Sequence, residues 1–180
     1  MMQSETYKSL FLLGNHYANF PSIDYFLVKT LKYLPKPILI QAYSNSFISI
    51  NKNEYTYVDI IPKSEIQNII KKSELVITHS GVGLSTECIK NNKKFILISR
   101  LPLWYEHCDF HQFEWFNLIQ DLYPGIIKIN FVKLNNPKYC EMIVKSTINS
   151  SNKFNPKILE NYFNASIIES AVKSITKRYN

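Results

Sequence analysis

The sequence predicts an α/β fold, a Rossmann-like parallel sheet with helices on both faces, forming one domain over residues 1–180. Three observations predict it. Short apolar runs rich in β-branched residues alternate with longer stretches of helical periodicity, the order that builds parallel sheets. Two of those runs, Leu75-Val76-Ile77 and Phe95-Ile96-Leu97-Ile98, are separated by about the length of one crossover helix, which makes a βαβ unit. Three of the four glycines, Gly14, Gly81 and Gly83, fall in β-to-α loops, which share the carboxyl edge of such a sheet, and Gly125 lies in an ordinary turn.

In chain order, Ser9 to Leu13 reads as a strand, and Pro21-Ser22 opens a helix that runs to about Leu34, stopped by Pro35 and Pro37. Ile38 to Gln41 is the next strand. Phe47 to Ile50 is an irregular strand or a loop, and Tyr55 to Ile61 a third regular strand. Pro62-Lys63-Ser64-Glu65 starts a helix with Ile66, Ile69 and Ile70 on one face. After the βαβ unit, His111 to Leu122 is helical, with Phe113, Phe116 and Ile119 at helical spacing, and Pro124-Gly125 turns the chain into a strand from Ile126 to Ile129. From Pro156 to about residue 178 an apolar stripe of Leu159, Tyr162, Phe163, Ile167, Ala171 and Ile175 predicts an amphipathic helix. It either packs back on its own sheet or docks on a partner subunit.

The chain carries a net charge of +7, yet the lysines are dispersed and no nucleic-acid motif occurs, so a solvated surface accounts for the charge. A modest basic balance also favours work beside an anionic membrane leaflet or on anionic substrates. No apolar run approaches the roughly 20 residues of a membrane span, and MMQSETYK lacks the apolar core of a signal peptide, so a cytoplasmic location is expected. Three cysteines without metal-like spacing, Cys88, Cys108 and Cys140, are expected to be free thiols.

The stretch from Glu74 to Gln112 concentrates the chemistry. Its first loop is His79-Ser80-Gly81-Val82-Gly83, where two glycines permit backbone conformations a side chain would block and let a ligand approach the amides. The N–H groups of the following helical turn favour an anion, usually phosphate. Glu87, one turn on, would repel phosphate; its carboxylate either accepts hydrogen bonds from neighbouring hydroxyls, as on a ribose, or complements the helix dipole. A second loop carries Arg100, Glu106, His107 and Asp109, and then His111 and Gln112, a dense polar set directly after a buried strand.

These residues resemble the donor-binding, C-terminal domain of GT-B glycosyltransferases, of the family 28 type. The likeness is to the small Alg13-like and PssE-like chains that form one half of a split enzyme. Their pattern of HAGxGxxxEAL, a strand ending in Pro-Arg, and GEHxxDHQ is matched by His79, Gly81, Gly83, Glu87, Arg100, Glu106-His107, Asp109 and His111-Gln112. Gly14-Asn15-His16 with Phe20 and Asp24 resembles the family's N-terminal GTHxxxFxxL loop, and Gln41-Ala42-Tyr43-Ser44 its QxGxS strand end, so the likeness covers about residues 8–130. The chain departs from the pattern at Asn15, Ala42, Ser80 and Ser99.

The resemblance implies an inverting, UDP-sugar-dependent hexosyltransferase subunit, with galactose or N-acetylglucosamine foremost. The acceptor would be a lipid-diphosphate-linked saccharide in capsule, exopolysaccharide or glycan assembly. It implies that Glu87 binds the ribose, backbone near Arg100 the base, and the amides of Gly81 to Leu84 the diphosphate, assisted by Ser85 or Thr86. His111 and Gln112 would hold the sugar hydroxyls. His16 is a possible base or a diphosphate contact, Glu106, Asp109 and His107 are further candidates, and the base otherwise comes from the partner. No metal is implied, and no Asp-x-Asp motif occurs. A length of 180 residues suits one of the two GT-B domains, so an Alg14- or PssD-like membrane-associated partner is expected to supply the acceptor side and to hold this chain at the inner membrane face. The alternative is a non-catalytic, nucleotide-sugar-binding enhancer of a partner transferase.

Overall fold

Buried apolar runs set the sheet, and their alternation sets its two faces. The structure, a computed structural model, describes residues 6–13, 21–42, 55–99, 111–151 and 153–164, with residues 21–24 and 111 described as backbone. Five strands, β1 (Ser9–Leu12), β2 (Ile38–Gln41), β3 (Thr56–Val58), β4 (Leu75–His79) and β5 (Lys94–Ile98), pair in parallel in the order β3-β2-β1-β4-β5. β1 aligns Leu10 with Leu39 of β2 on one side and with Val76 of β4 on the other. Side chains one residue apart point to opposite faces. Thus Phe11, Leu75, Ile77, Ile96 and Ile98 enter one core, and Leu10, Leu12, Val76, Phe95 and Leu97 the other.

Helices α1 (Pro21–Thr30) and α5 (Pro137–Asn149) cover the first face through Phe26, Leu27, Cys140, Ile143 and Val144. The second is covered by α2 (Lys63–Lys72), α3 (Val82–Lys90), α4 (His111–Leu122) and α6 (156–164), through Ile70, Cys88, Ile89, Trp115, Phe116, Ile119 and Leu159. Such large side chains, fully buried, stabilise the fold by roughly 1.5–3 kcal/mol each. Opposite coverage follows from topology: a right-handed crossover from β1 out to β2 and one from β3 back to β4 fall on opposite faces.

Local chemistry explains the element ends. α1 gives way to a 3-10 turn at Leu31–Tyr33 where Thr30 bonds back to the Phe26 carbonyl (2.8 Å), so the α-helix is shorter than the periodicity to Leu34 suggests. β3 is likewise shorter than Tyr55–Ile61, because the Asp59 carbonyl accepts from Gln41 Nε2 (2.9 Å) and Ile61 turns into the core. α3 closes through Asn92 (φ 49°), with Lys93 N–H donating to the Cys88 carbonyl (2.8 Å). The Lys93 ammonium reaches the Ser73 (2.8 Å) and Lys71 carbonyls at the C-terminal end of α2, where free carbonyls attract a cation.

Two expectations change. Ile126–Ile129 is not a strand: Ile126 packs into the core under α4 while Ile127 and Ile129 pack against the opposite core, so the segment wraps the β5 edge. Side chains meet its backbone at both ends, Gln120 Nε2 donating to the Ile126 carbonyl (3.3 Å) and Asn130 N–H to Tyr139 Oη (2.8 Å). α5 adds a helix that the alternating pattern did not reveal, although its start is written plainly: Asn136 accepts from Lys138 N–H (2.9 Å), and Pro137 follows it. Phe47–Ile50 lies outside the described residues.

The described turns of α6 pack on the chain's own body. Leu159 is buried, and the Phe163 ring stacks on Trp115 at 5.7 Å between centroids. The preceding Phe154 contacts the Phe95 and Tyr123 rings, its N–H donates to Asn92 Oδ1 (2.9 Å), and Tyr123 Oη donates to the Asn155 carbonyl (2.9 Å). Leu159→Ala should therefore cost about 3 kcal/mol in urea unfolding; an unchanged midpoint would make these turns dispensable to the fold.

Candidate functional site

The strand order reverses direction between β1 and β4, and in open α/β sheets that switch point opens a crevice at the carboxyl edge. β4 ends there at His79, and Ser80-Gly81 leads directly into α3. Gly81 is the N-cap at φ −84° and ψ 138°, extended backbone open to any residue. Its glycine is required for another reason: a Cβ at Gly81 would stand 2.3 Å from His79 Cε1, so the imidazole lies where a side chain would begin. Gly83 has nothing within 4 Å of such a Cβ, and it fronts open space.

The turn is braced by hydroxyls. Ser80 N–H donates to the Ile98 carbonyl (3.0 Å), and Ser80 Oγ lies 3.1 Å from Ser99 Oγ, tying the exits of β4 and β5 together. Ser85 Oγ donates to the Gly81 carbonyl (2.7 Å) and accepts from Trp115 Nε1 (2.8 Å). Ser85 is thus a buried support of the turn. Thr86 faces away, lining a cavity of about 320 Å³ with Lys90, Pro156, Leu159, Glu160 and Phe163. The first turn of α3 has no side-chain cap, so its N–H groups face the crevice edge without that competitor.

Gly83, Leu84 and Glu87 share one face of α3, and they line a groove of about 460 Å³ against Ile61, Lys63, Ile66 and Gln67 of the α2 side, with Gln41 from the end of β2. Among the described residues Glu87 Oε2 meets one weak donor, Asn91 Nδ2 at 3.5 Å, which leaves the carboxylate oxygens capacity for hydroxyl donors. Beneath it, burial and then the Glu87 carboxylate push the Cys88 thiol far above its ordinary range, against the opposing Lys93 ammonium. Cys88 is a packing residue, not a nucleophile. Cys88 and Cys140 are both free and buried.

The structure therefore brings Gly83 and Glu87 into one groove, with His79, Ser80, Gly81 and Ser85 holding its rim, and separates Thr86 from it. Gln112 is buried at the start of α4, and His111 opens that helix. Gly14, His16, Arg100, Glu106, His107 and Asp109 lie outside the described residues. Sequence reasoning missed the α2 wall, Lys63 and Gln67. Its signal was present: Pro62 starts a helix directly after a strand, and every such start in a parallel sheet stands at the same edge.

The glycosyltransferase family 28 C-terminal domain matches residues 28–118, half of the chain. The chain belongs to this family. Family 28 members use nucleotide-sugar donors, and the five-stranded parallel sheet with helices on both faces is Rossmann-like. Among solved structures, this family 28 chain is similar to the glycotransferase of kitacinnamycin, with a TM-score of 0.56 and 12% identity over 79% of this chain and 35% of that one. It is also similar to Acinetobacter baumannii MurG (TM-score 0.49, 17% identity, 82% and 46% covered) and to the spinosyn forosaminyltransferase SpnP (0.48, 9%, 91% and 44%). Only the first of these likenesses is close enough to bear on the fold. The chain spans between 35% and 46% of these proteins' lengths. No curated protein matches it.

Two substitutions test the turn. Gly81→Ala should destabilise by about 1–3 kcal/mol through overpacking, and most of that cost should vanish in a His79→Ala background; additive costs in the double-mutant cycle would separate the two residues. Trp115→Phe, which replaces the indole by a smaller ring and removes its N–H, should cost at least about 1–2 kcal/mol in unfolding free energy, since it leaves Ser85 Oγ one partner short and opens space in the core. A midpoint equal to that of the parent would mean the bond contributes nothing.

Proposed function

We propose that this chain is the donor-binding and catalytic subunit of a split, inverting glycosyltransferase that uses a UDP-sugar. One observation carries the reading: Glu87 lines the groove between α2 and α3 together with Gly83, one helical turn beyond the uncapped start of α3. A nucleoside diphosphate has complementary parts, a ribose with two adjacent hydroxyl donors and a diphosphate that accepts N–H bonds. Glu87 accepts from the ribose, and the amides of Gly81 to Leu84 hold the diphosphate as its negative charge grows on leaving. Lys63, on the opposite wall, adds a cation that its exposed position leaves mobile.

Donor specificity for UDP and for galactose or N-acetylglucosamine rests on the resemblance carried by Arg100, Glu106, His107, Asp109, His111 and Gln112. So does the acceptor, a lipid-diphosphate-linked saccharide. The proton of the acceptor hydroxyl goes to His16, Glu106, Asp109 or a group of an Alg14- or PssD-like partner, which also brings the chain to the cytoplasmic face of the membrane. Among the described residues no helix is long and apolar enough to cross a membrane.

Calorimetric titration of the chain with UDP, UDP-sugars and GDP compounds, without added metal, tests the donor site. Selective binding of UDP compounds is expected. Glu87→Ala should weaken it by about 1.5–3 kcal/mol, the scale of hydrogen bonds to a charged group, with the unfolding midpoint retained. Unchanged affinity would remove Glu87 from the site, and no binding with or without the partner would reject the donor reading.

A further inference from the structure

The two helical layers of this domain differ in charge. On the first face, α1 with the residues up to Lys36 and the stretch 131–149 carry Lys29, Lys32, Lys36, Lys133, Lys138 and Lys145 against only Asp24 and Glu141. The helices of the second face, α2, α3, α4 and α6, carry five lysines and five carboxylates. Among the described helical layers, the excess of positive charge thus stands on the first face.

That same side exposes aliphatic side chains. Val132 is 85% exposed, Val28 51% and Met142 47%, on three elements that contact one another: the 3-10 turn Phe131–Asn135, α1 and α5. Tyr25 Oη donates to Asn135 Oδ1 and fixes α1 to that turn. Lysine heads lie over half-buried tyrosine rings, Lys29 over Tyr25 at 5.3 Å and Lys133 over Tyr139 at 6.0 Å. Each would leave its ring at an interface with the ammonium free to reach outward.

We infer that the α1/α5 face rests directly on an anionic lipid surface. Charge complementarity supplies the attraction, since each lysine near an anionic leaflet adds to binding within a Debye length. The aliphatic residues choose the partner. A nucleic acid would meet the lysines but leave Val28, Val132 and Met142 against phosphate or water, whereas a bilayer offers anionic headgroups directly above hydrocarbon. Tyrosine, apolar in body and polar at its tip, suits the boundary between the two. The groove between α2 and α3 lies across the sheet, so this contact leaves it open to solvent. The inference does not depend on the donor reading.

Sedimentation of the full chain with phosphatidylcholine vesicles, and with vesicles that also contain phosphatidylglycerol, tests it. Binding is expected only with phosphatidylglycerol and should fall as salt is raised. Lys133→Glu with Lys138→Glu should reduce partitioning about tenfold or more; both are exposed and near the α5 N-terminus, where carboxylates suit the helix dipole and folding is retained. Val132→Asp should also weaken binding, while Lys71→Glu with Lys72→Glu, on the opposite face, should retain most of it. The idea is overturned if the chain ignores anionic vesicles, if the two lysine pairs have equal effects, or if this face captures an acidic protein and no lipid. UDP titration of the same variants, expected to be unchanged, keeps this outcome separate from that of the donor site.

Discussion

The turn from β4 into α3 is the point on which the site depends, and it is held from four directions. The His79 ring lies against Gly81, Ser80 joins the exit of β5, Ser85 bonds the Gly81 carbonyl, and Trp115 donates to Ser85 from a helix on the same face. Backbone amides can act as an anion site only if they stay aimed, and rigid second partners do that aiming. The hydroxyls and indole here answer one another, so no ligand has to organise them at the moment of binding. Glu87 inherits its position from the turn, since it stands one helical turn beyond Gly83.

Much of this was legible in the chain. Four of the strands were marked by buried runs between breakers, and the βαβ unit by its spacing, because a parallel strand covered on both faces must be apolar throughout. The groove's α3 wall was legible for the same reason that helices are: 83, 84 and 87 fall on one face. The α2 wall was hidden because Lys63 and Gln67 are ordinary surface types, and only the sheet brings them opposite Glu87. Ile126–Ile129 shows the limit of apolar runs, since the same residues serve a strand or a segment that wraps an edge, and the choice rests on side chains far along the chain. Thr86 shows another: adjacent to Ser85 in sequence, it is turned by the helix toward α6.

The second limit was charge. A net value of +7 spread evenly in sequence gave no sign of sidedness. Sidedness came from topology, which sends α1 and α5 to one face and the balanced helices to the other. Composition sets how much charge a domain carries, but the crossover directions decide where it stands.

The stacking of Phe163 on Trp115 bears on the order in which the domain is completed. The turn at residues 80–82 receives its bond through Ser85 from an indole at position 115, which is itself packed by a ring at position 163. Those contacts close long loops, and loop closure must precede any stabilisation they give. The sheet can pair its central strands from nearer neighbours, while the turn at residues 80–82 waits for the last of its braces. During synthesis the carboxyl edge is thus finished late, after the body that carries it.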